Sequence, residues 1–337
     1  MHGIIGRRVC GDIQISMDEL ITLDYGSGGK KTSKLIDELL VPVMDLGDLS
    51  DGAVLDDEIA FSTDSFVVDP IFFPGGDIGK LSVCGTVNDI SMCGAVPEYL
   101  SLAFIIEEGF ELENLKKIIS SIEKTAKAAG VRVVTGDTKV VEKGRGDKIY
   151  INTSRIGHIK YKGLGVKNIR TGDKVIVSGT IGDHGTAVML ARSGMMTSDL
   201  KSDCAPLNGL CEKILSHSDK VRVLRDPTRG GVATTLNEFI EGSDLSVELD
   251  ETALPIKGEV QSACDMLGLD PLYCANEGKL LCVIAPEDAQ KVAALMPEGR
   301  IIGEITGNYP GKVILKTRLG GSRILQKLAG AQLPRIC

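Results

Sequence analysis

The sequence predicts a mixed α/β protein of two domains. Strand-like and helix-like segments alternate along the chain, and a second block of similar order follows a change of character near residues 166–174. The length of 337 residues and a hydrophobic content of 43% suffice for two cores.

The elements follow in order. Residues 1 to about 20 show little periodicity and read as an extended arm. Tyr25-Gly26-Ser27-Gly28-Gly29-Lys30 precedes a helical pattern through Lys34, Leu35, Ile36, Leu39 and Leu40. Residues 51–55 and 58–64 read as two short strands joined by a turn. Residues 78–94 read as a long helix, 99–106 as a strand, 112–129 as a helix, and 131–134 and 149–158 as strands. Arg170-Thr171-Gly172-Asp173 is turn-forming, and a strand starts at Lys174. Gly182-Asp183-His184-Gly185 and Asp226-Pro227-Thr228-Arg229-Gly230-Gly231 each open a helix, and 245–249 is a strand. The domain boundary falls near 160–172. The divisions are an arm and glycine-rich loop over 1–40, a first domain over 41–165, a second over 166–319 and a tail over 320–337. In that tail a Gly320-Gly321 pair precedes Gly330, Pro334 and a short amphipathic stretch, which reads as a mobile arm. Fully extended, it reaches roughly 55–60 Å, far enough to carry Cys337 into a distant cleft.

Composition excludes several classes. The net charge of −8, a pI near 5.2 and 4% aromatics without Trp argue against a nucleic-acid or membrane-surface binder. No apolar run approaches the ~18 residues that span a bilayer, and Met1 to Asp12 lacks the apolar core of a signal peptide, so a cytoplasmic protein is expected. The nine cysteines then read as reduced thiols; none forms a CxxC pair, so a zinc site is not expected. Most are small core residues, but Cys337 ends the chain.

Four aspartates carry the first chemical signal. Asp51, Asp64, Asp89 and Asp137 sit beside Gly, Thr or Asn at strand ends or on a helix, where they can converge on one rim of an α/β domain. Clustered carboxylates repel one another and a triphosphate unless cations lie between them, which points to a Mg-ATP site. Each one taken alone equally fits a turn or helix cap. Gly28, Gly29 and Lys30 suit phosphate through small-residue amides, a helix start and a cation, although the pattern is not a Walker A and a plain loop fits as well. Asp183, Asp226 and Thr228 belong to loops of the same character. His184 is a candidate base, against the commoner helix-start histidine making one local hydrogen bond, and Glu277 is a candidate to polarise a substrate, against a solvated loop acid.

Together these segments resemble the superfamily of aminoimidazole ribonucleotide synthetase, selenophosphate synthetase and thiamine-phosphate kinase. The segments are Asp51-Gly52-Ala53, Ser62-Thr63-Asp64-Ser65, Val87-Asn88-Asp89 through Pro97, and Gly136-Asp137-Thr138. Within it the glycine-rich loop, residues 226–238 and the ending Leu333-Pro334-Arg335-Ile336-Cys337 most resemble the HypE family of hydrogenase maturation proteins, from about residue 20 to the end. The resemblance implies a homodimer whose first domains pair their strands into a β-barrel. ATP and Mg²⁺ would lie between the half built around Asp51, Asp64, Asp89 and Asp137 and the second domain. It implies that a carbamoyltransferase, HypF, loads Cys337, that the chain dehydrates the thiocarboxamide to a thiocyanate, and that a HypC–HypD complex accepts the cyanide for the iron of nickel–iron hydrogenase. Cys337 then carries the substrate, Glu277 is the preferred base with His184 behind it, and Lys139 contacts the γ-phosphate or the phosphorylated amide. Two rival readings are a non-catalytic carbamoyl carrier and a small-molecule ATP-dependent synthetase or kinase of the same superfamily. Selenophosphate synthetases place Cys or selenocysteine in the glycine-rich loop, where this chain has Gly28-Gly29.

Overall fold

The computed structural model describes residues 20–44, 50–194, 199–328, 330 and 332–337. The arm expected at the N-terminus lies almost wholly outside them. Helix α1 (Lys30–Leu35) follows the glycine-rich loop. The first domain is built from β1 (Ala53–Leu55), β2 (Ile59–Phe66), a small hairpin of β3 (Phe72–Phe73) and β4 (Gly76–Asp77), α2 (Ile78–Met92), β5 (Ala95–Glu107), α3 (Leu112–Ala128), β6 (Arg132–Val141) and β7 (Ile149–Ile159). Asp77 starts α2 as its N-cap, accepting from the amides of Gly79 and Lys80 at 2.7 and 3.0 Å.

Its main sheet has five strands in the order β1-β2-β7-β5-β6, with only β5 and β6 parallel. Period-two alternation explains its two faces. Phe66, Leu100, Ile106, Ile149 and Ile151 point inward onto α2 and α3, where they meet Leu81, Val87, Ile118 and Ile122. The opposite face carries Phe61, Tyr99, Ile105 and Ile156, each exposed by 39–45%. β6 runs past residue 134, where the sequence reading ended it. Gly136 permits this, since a Cβ there would lie 2.2 Å from the Leu102 carbonyl oxygen.

The second domain comprises β8 (Lys174–Val177), α4 (Asp183–Ser193), α5 (Asn208–His217), β9 (Val221–Arg225), α6 (Gly231–Phe239), β10 (Ser246–Asp250), α7 (Gly258–Leu267), β11 (Leu281–Ile284), α8 (Pro286–Ala293), β12 (Arg300–Thr306), β13 (Val313–Lys316) and β14 (Ser322–Leu325). Its seven-stranded sheet runs β14-β13-β10-β12-β8-β11-β9. Both faces are buried: Val175, Val177, Leu281 and Val283 pack on the α6 side, while Ile176, Leu224, Cys282 and Ile284 pack beneath α5 and α8. The first core contains α2, and α2 also fastens the domains together. The fully buried Asn88 accepts from Leu207 N–H at 2.8 Å and donates to the carbonyls of Ala205 and Glu277.

The tail is more anchored than a two-glycine hinge implies. Gly320 and Gly321 form the turn between β13 and β14, closed by hydrogen bonds to Thr317, and β14 pairs with β13. Beyond it, the Leu328 carbonyl accepts from Lys30 N–H at 2.9 Å. The chain is therefore held to the body as far as Leu328.

Candidate active site

Three carboxylates converge where the domains meet. Asp51 precedes β1, Asp89 lies on the last turn of α2, and Asp226 follows β9 in the second domain. Their ligand oxygens all lie within 4.8 Å of one another. Ser62 donates to Asp89 Oδ2 at 2.7 Å and to the Asp51 carbonyl at 3.1 Å, and Asp64 hydrogen-bonds Asp89. Withdrawal from water pushes the Asp51 carboxyl up to about 7, against the lowering pull of Arg225. Burial, then mutual repulsion with the neighbouring aspartates, pushes Asp89 and Asp226 well above the usual range, and Asp64 is raised mainly by burial. Asp226 Oδ2 is buried with no hydrogen-bond partner. An orphaned oxygen amid repelling carboxylates is the donor set that a hard divalent cation satisfies, so these residues fit Mg²⁺. Arg225 compensates part of the charge, 2.6 Å from Asp51 and 3.1 Å from Glu238.

The C-terminal residues dock into the adjoining cleft. Val67 N–H donates to the main-chain oxygen of Cys337 at 3.1 Å and Asp69 N–H to the Arg335 carbonyl at 3.2 Å, so the tail adds to the chain beyond β2 much as a strand would. Arg192 holds both segments, donating to the carbonyls of Asp69, Pro334 and Arg335 at 2.7–2.8 Å. Arg335 donates to the Val67 carbonyl and pairs with Asp147. Ile336 is buried in the first-domain core. Cys337 Sγ receives a hydrogen bond of 3.1 Å from Arg229 and borders a cavity of about 190 Å³ shared with Ser27, Arg229, Ala275 and Leu328. Losing a charged donor that serves several carbonyls costs about 1.5–3 kcal/mol. Arg192→Gln is therefore expected to raise the alkylation rate of Cys337 on the order of tenfold, read by mass on the terminal peptide. An unchanged rate would show that the latch does not control the tail.

Glu277 lies beside the docked thiol. It is buried, its Oε1 has no hydrogen-bond partner, and its amide donates to Asp203 Oδ1 at 3.1 Å. Burial first, then the proximity of Cys337, Asp226 and Asp203, holds its carboxyl well above the ordinary value. A buried carboxyl near a thiol, with one oxygen unpartnered, suits proton transfer.

The structure thus gathers Asp51, Asp64, Asp89, Asp226, Glu277 and Cys337, with Thr228 in the Asp226 loop. Other candidates lie differently. Asp137 and Lys139 sit on β6, exposed and ion-paired at 2.8 Å, so Asp226 rather than Asp137 completes the carboxylate cluster within one chain. Their register opposite Ala103 and Ile105 puts both on the outward face. His184 is fully buried, with Nδ1 on Ser202 Oγ at 2.8 Å and Nε2 on the Ile336 carbonyl at 3.0 Å. The carbonyl can only accept, so Nε2 carries the proton and Nδ1 accepts from Ser202. Burial holds the ring neutral, and both nitrogens are engaged, so His184 anchors the tail rather than acting as a base. Asp183 Oδ2 accepts from Lys257 and Thr180, each at 2.6 Å, while its Oδ1 is buried without a hydrogen-bond partner.

The glycine-rich loop also differs from a phosphate cradle. Gly28 N–H is taken by Thr32 Oγ1, Gly29 N–H by Ser27 Oγ and Lys30 N–H by the Leu328 carbonyl. Gly29 is required because a Cβ would stand 2.4 Å from that carbonyl oxygen. In this conformation the loop straps the root of the tail. Sequence reasoning left Arg225, Arg229, Arg192, Ser62 and Asn88 without roles. Arg229, Ser62 and Asn88 carried a local signal, lying within the segments 226–231, 62–65 and 87–97, whereas Arg192 and Arg225 carried none.

Fold and site define a two-domain α/β enzyme of the aminoimidazole ribonucleotide synthetase type. The family model of the AIR synthase related protein N-terminal domain matches residues 49–159, and that of its C-terminal domain matches 170–316. Carbamoyl dehydratase HypE of Rhodobacter capsulatus is 44% identical over 336 residues, covering 95% of this chain and 99% of the relative. A crystal structure of hydrogenase maturation protein HypE in complex with ATP is 46% identical, with a TM-score of 0.80 and coverage of 94% and 99%. HypE in a HypE–HypF complex is 48% identical, with a TM-score of 0.83 and coverage of 87% and 99%. The chain belongs to the HypE carbamoyl dehydratase family.

Proposed function

We propose that the chain uses ATP to dehydrate a carbamoyl group carried on Cys337 to a thiocyanate, supplying cyanide for hydrogenase maturation. The observation that carries this reading is the seating of the Cys337 thiol beside Glu277 and Arg229, with Glu277 itself close to Asp226 of the carboxylate cluster. An amide oxygen leaves poorly. Transfer of the γ-phosphoryl of ATP onto it breaks the Pγ–O bond to ADP and makes phosphate the leaving group. Glu277, once ionised, takes one proton of the amide nitrogen, releases it to solvent and then takes the other. Loss of both, with cleavage of the C–O bond, leaves C≡N on the sulfur and releases phosphate. Mg²⁺, held by Asp51, Asp89 and Asp226, would neutralise phosphate charge. Arg192, His184 and Ile336 hold the thiol in place, which replaces a bimolecular encounter with a fixed geometry.

The arrangement also supports partners and division of labour. A HypF-type carbamoyltransferase would load Cys337, and a HypC–HypD-type complex would accept the cyano group. The last eight residues, past Ala329, would form the moving arm, reaching roughly 27 Å when extended. Residues 41–165 and 166–319 act as the two domains that close on ATP. The uncovered apolar face of Phe61, Tyr99, Ile105 and Ile156 favours a homodimer in which the first-domain sheets meet as a barrel. Asp137 and Lys139 on that face would then reach the partner subunit's ATP. No helix among the described residues is long and apolar enough to cross a membrane, and the eight cysteines among them are free thiols, which suits work in the cytoplasm.

ADP release on mixing with carbamoyl-loaded chain is the test. The expected result is ADP equal in amount to loaded thiol for the wild type and none above background for Cys337→Ser. ADP release indifferent to loading and to Cys337 would return the chain to the small-molecule kinases, and loading without ADP would make it a carrier.

A further inference from the structure

We propose that Arg229 is a catalytic residue of this dehydration: its guanidinium grips the sulfur that bears the carbamoyl group and stabilises the negative charge that develops on that group's nitrogen and oxygen. The inference rests on the reading of Cys337 as the substrate carrier.

The geometry argues for a role in the reaction. Arg229 Nη2 donates to Cys337 Sγ at 3.1 Å, and this is the guanidinium's one hydrogen bond among the described residues. An arginine kept for structure normally pairs with a carboxylate. Here Cys337 first, then Glu277 and Asp64, raise its affinity for protons, yet neither carboxylate makes an ion pair with it among the described residues. A guanidinium has five N–H donors in a rigid fork, so one can hold sulfur while another faces the oxygen two bonds away.

The residue is also braced on both sides. Its loop is closed by hydrogen bonds from Thr228 N–H to the Asp226 carbonyl and from Gly231 N–H to the Thr228 carbonyl, both at 2.9 Å, and by Asn276 N–H on the Pro227 carbonyl at 3.0 Å. The same six-residue turn therefore fixes the cluster carboxylate Asp226 and the sulfur donor Arg229. Gly28, at φ +73°, leaves room for the arginine stem: a Cβ there would stand 3.3 Å from Arg229 Cγ. This gives the glycine-rich strap a function that its engaged amides do not supply.

The electron flow places the charge within reach. Removal of the first nitrogen proton to Glu277 leaves an imidate, whose negative charge spreads over nitrogen and oxygen while the oxygen attacks Pγ and ADP departs. Glu277 passes that proton to solvent and takes the second, which drives C–O cleavage, and the electron pair leaves with phosphate. Arg229 stays protonated throughout and supplies a fixed cation beside the reacting group, already oriented before charge develops.

Single-turnover dehydration of the carbamoyl-loaded chain with Mg-ATP, followed by mass of the terminal peptide, tests this. Arg229→Gln is expected to slow water loss by about 10²–10³-fold, with ATP affinity changed less than about threefold, as for an isolated oxyanion donor. Arg229→Lys retains charge without the fork and is expected between the two. Free guanidinium ion is expected to restore part of the rate to Arg229→Ala, which a merely structural arginine would not allow. Wild-type and Gln rates within about threefold of each other overturn this inference alone. A wild-type adduct that keeps its water overturns the dehydratase reading and this inference with it.

Discussion

Asp89→Asn is expected to reduce ATP-dependent dehydration by about 10²–10³-fold, because a divalent cation contributes several kcal/mol of charge stabilisation and each 1.36 kcal/mol is tenfold in rate. The same change is expected to stabilise the metal-free chain. Asp51, Asp89 and Asp226 are held above their ordinary proton affinity by burial and mutual repulsion. A folded state that binds protons more tightly than the unfolded chain loses stability as pH rises. For Asp51 that loss runs from its ordinary 3.8 up to about 7, and is complete above it. In chelator at pH 8, Asp89→Asn should therefore melt about 2–4 °C above the wild type, and saturating Mg²⁺ should close or reverse the gap. A variant that melts lower in chelator and still turns over ATP would contradict the cation-site assignment.

Glu277→Gln is expected to cost about 10²–10⁴-fold in dehydration, the usual contribution of a positioned base, while leaving ATP binding and thiol loading in place. The raised carboxyl gives the sign of the pH dependence. Glu277 is protonated at pH values where an exposed glutamate is ionised, so the wild-type rate should rise with pH as the base form appears. In Glu277→Gln that limb should disappear and leave a low, flat profile. Full cyano formation by the Gln variant would remove Glu277 from this role.

Much of this site was legible because local chemistry marks it. Asp51, Asp64 and Asp89 stand at element ends or on the helix beside small residues, and all three enter one neighbourhood. The second-domain strands at 174 and 245 were visible as short apolar runs. What the sequence hid was mostly long-range. Asp226 replaces Asp137 in the cluster because β9 is brought against α2 by packing that no local pattern reports. The sequence reading ends this strand at residue 134, before Gly136-Asp137-Thr138, yet parallel pairing with β5 carries it through to Val141. Gly320-Gly321 reads as a hinge, but a tight turn between two strands needs the same residues. Gly29 fits either a phosphate loop or a plain loop by sequence, and its lack of a Cβ serves the close approach of Leu328. His184 is a candidate base by sequence, second to Glu277, but both its ring nitrogens are engaged, one of them by the tail itself.

The mass of the C-terminal peptide, taken after carbamoyl loading and again after Mg-ATP, bears most directly on the account. Loss of one water from the Cys337 adduct with ATP, and none without it, is the expected result. An adduct that stays carbamoylated while ATP is consumed, or one that loses water without ATP, would contradict it.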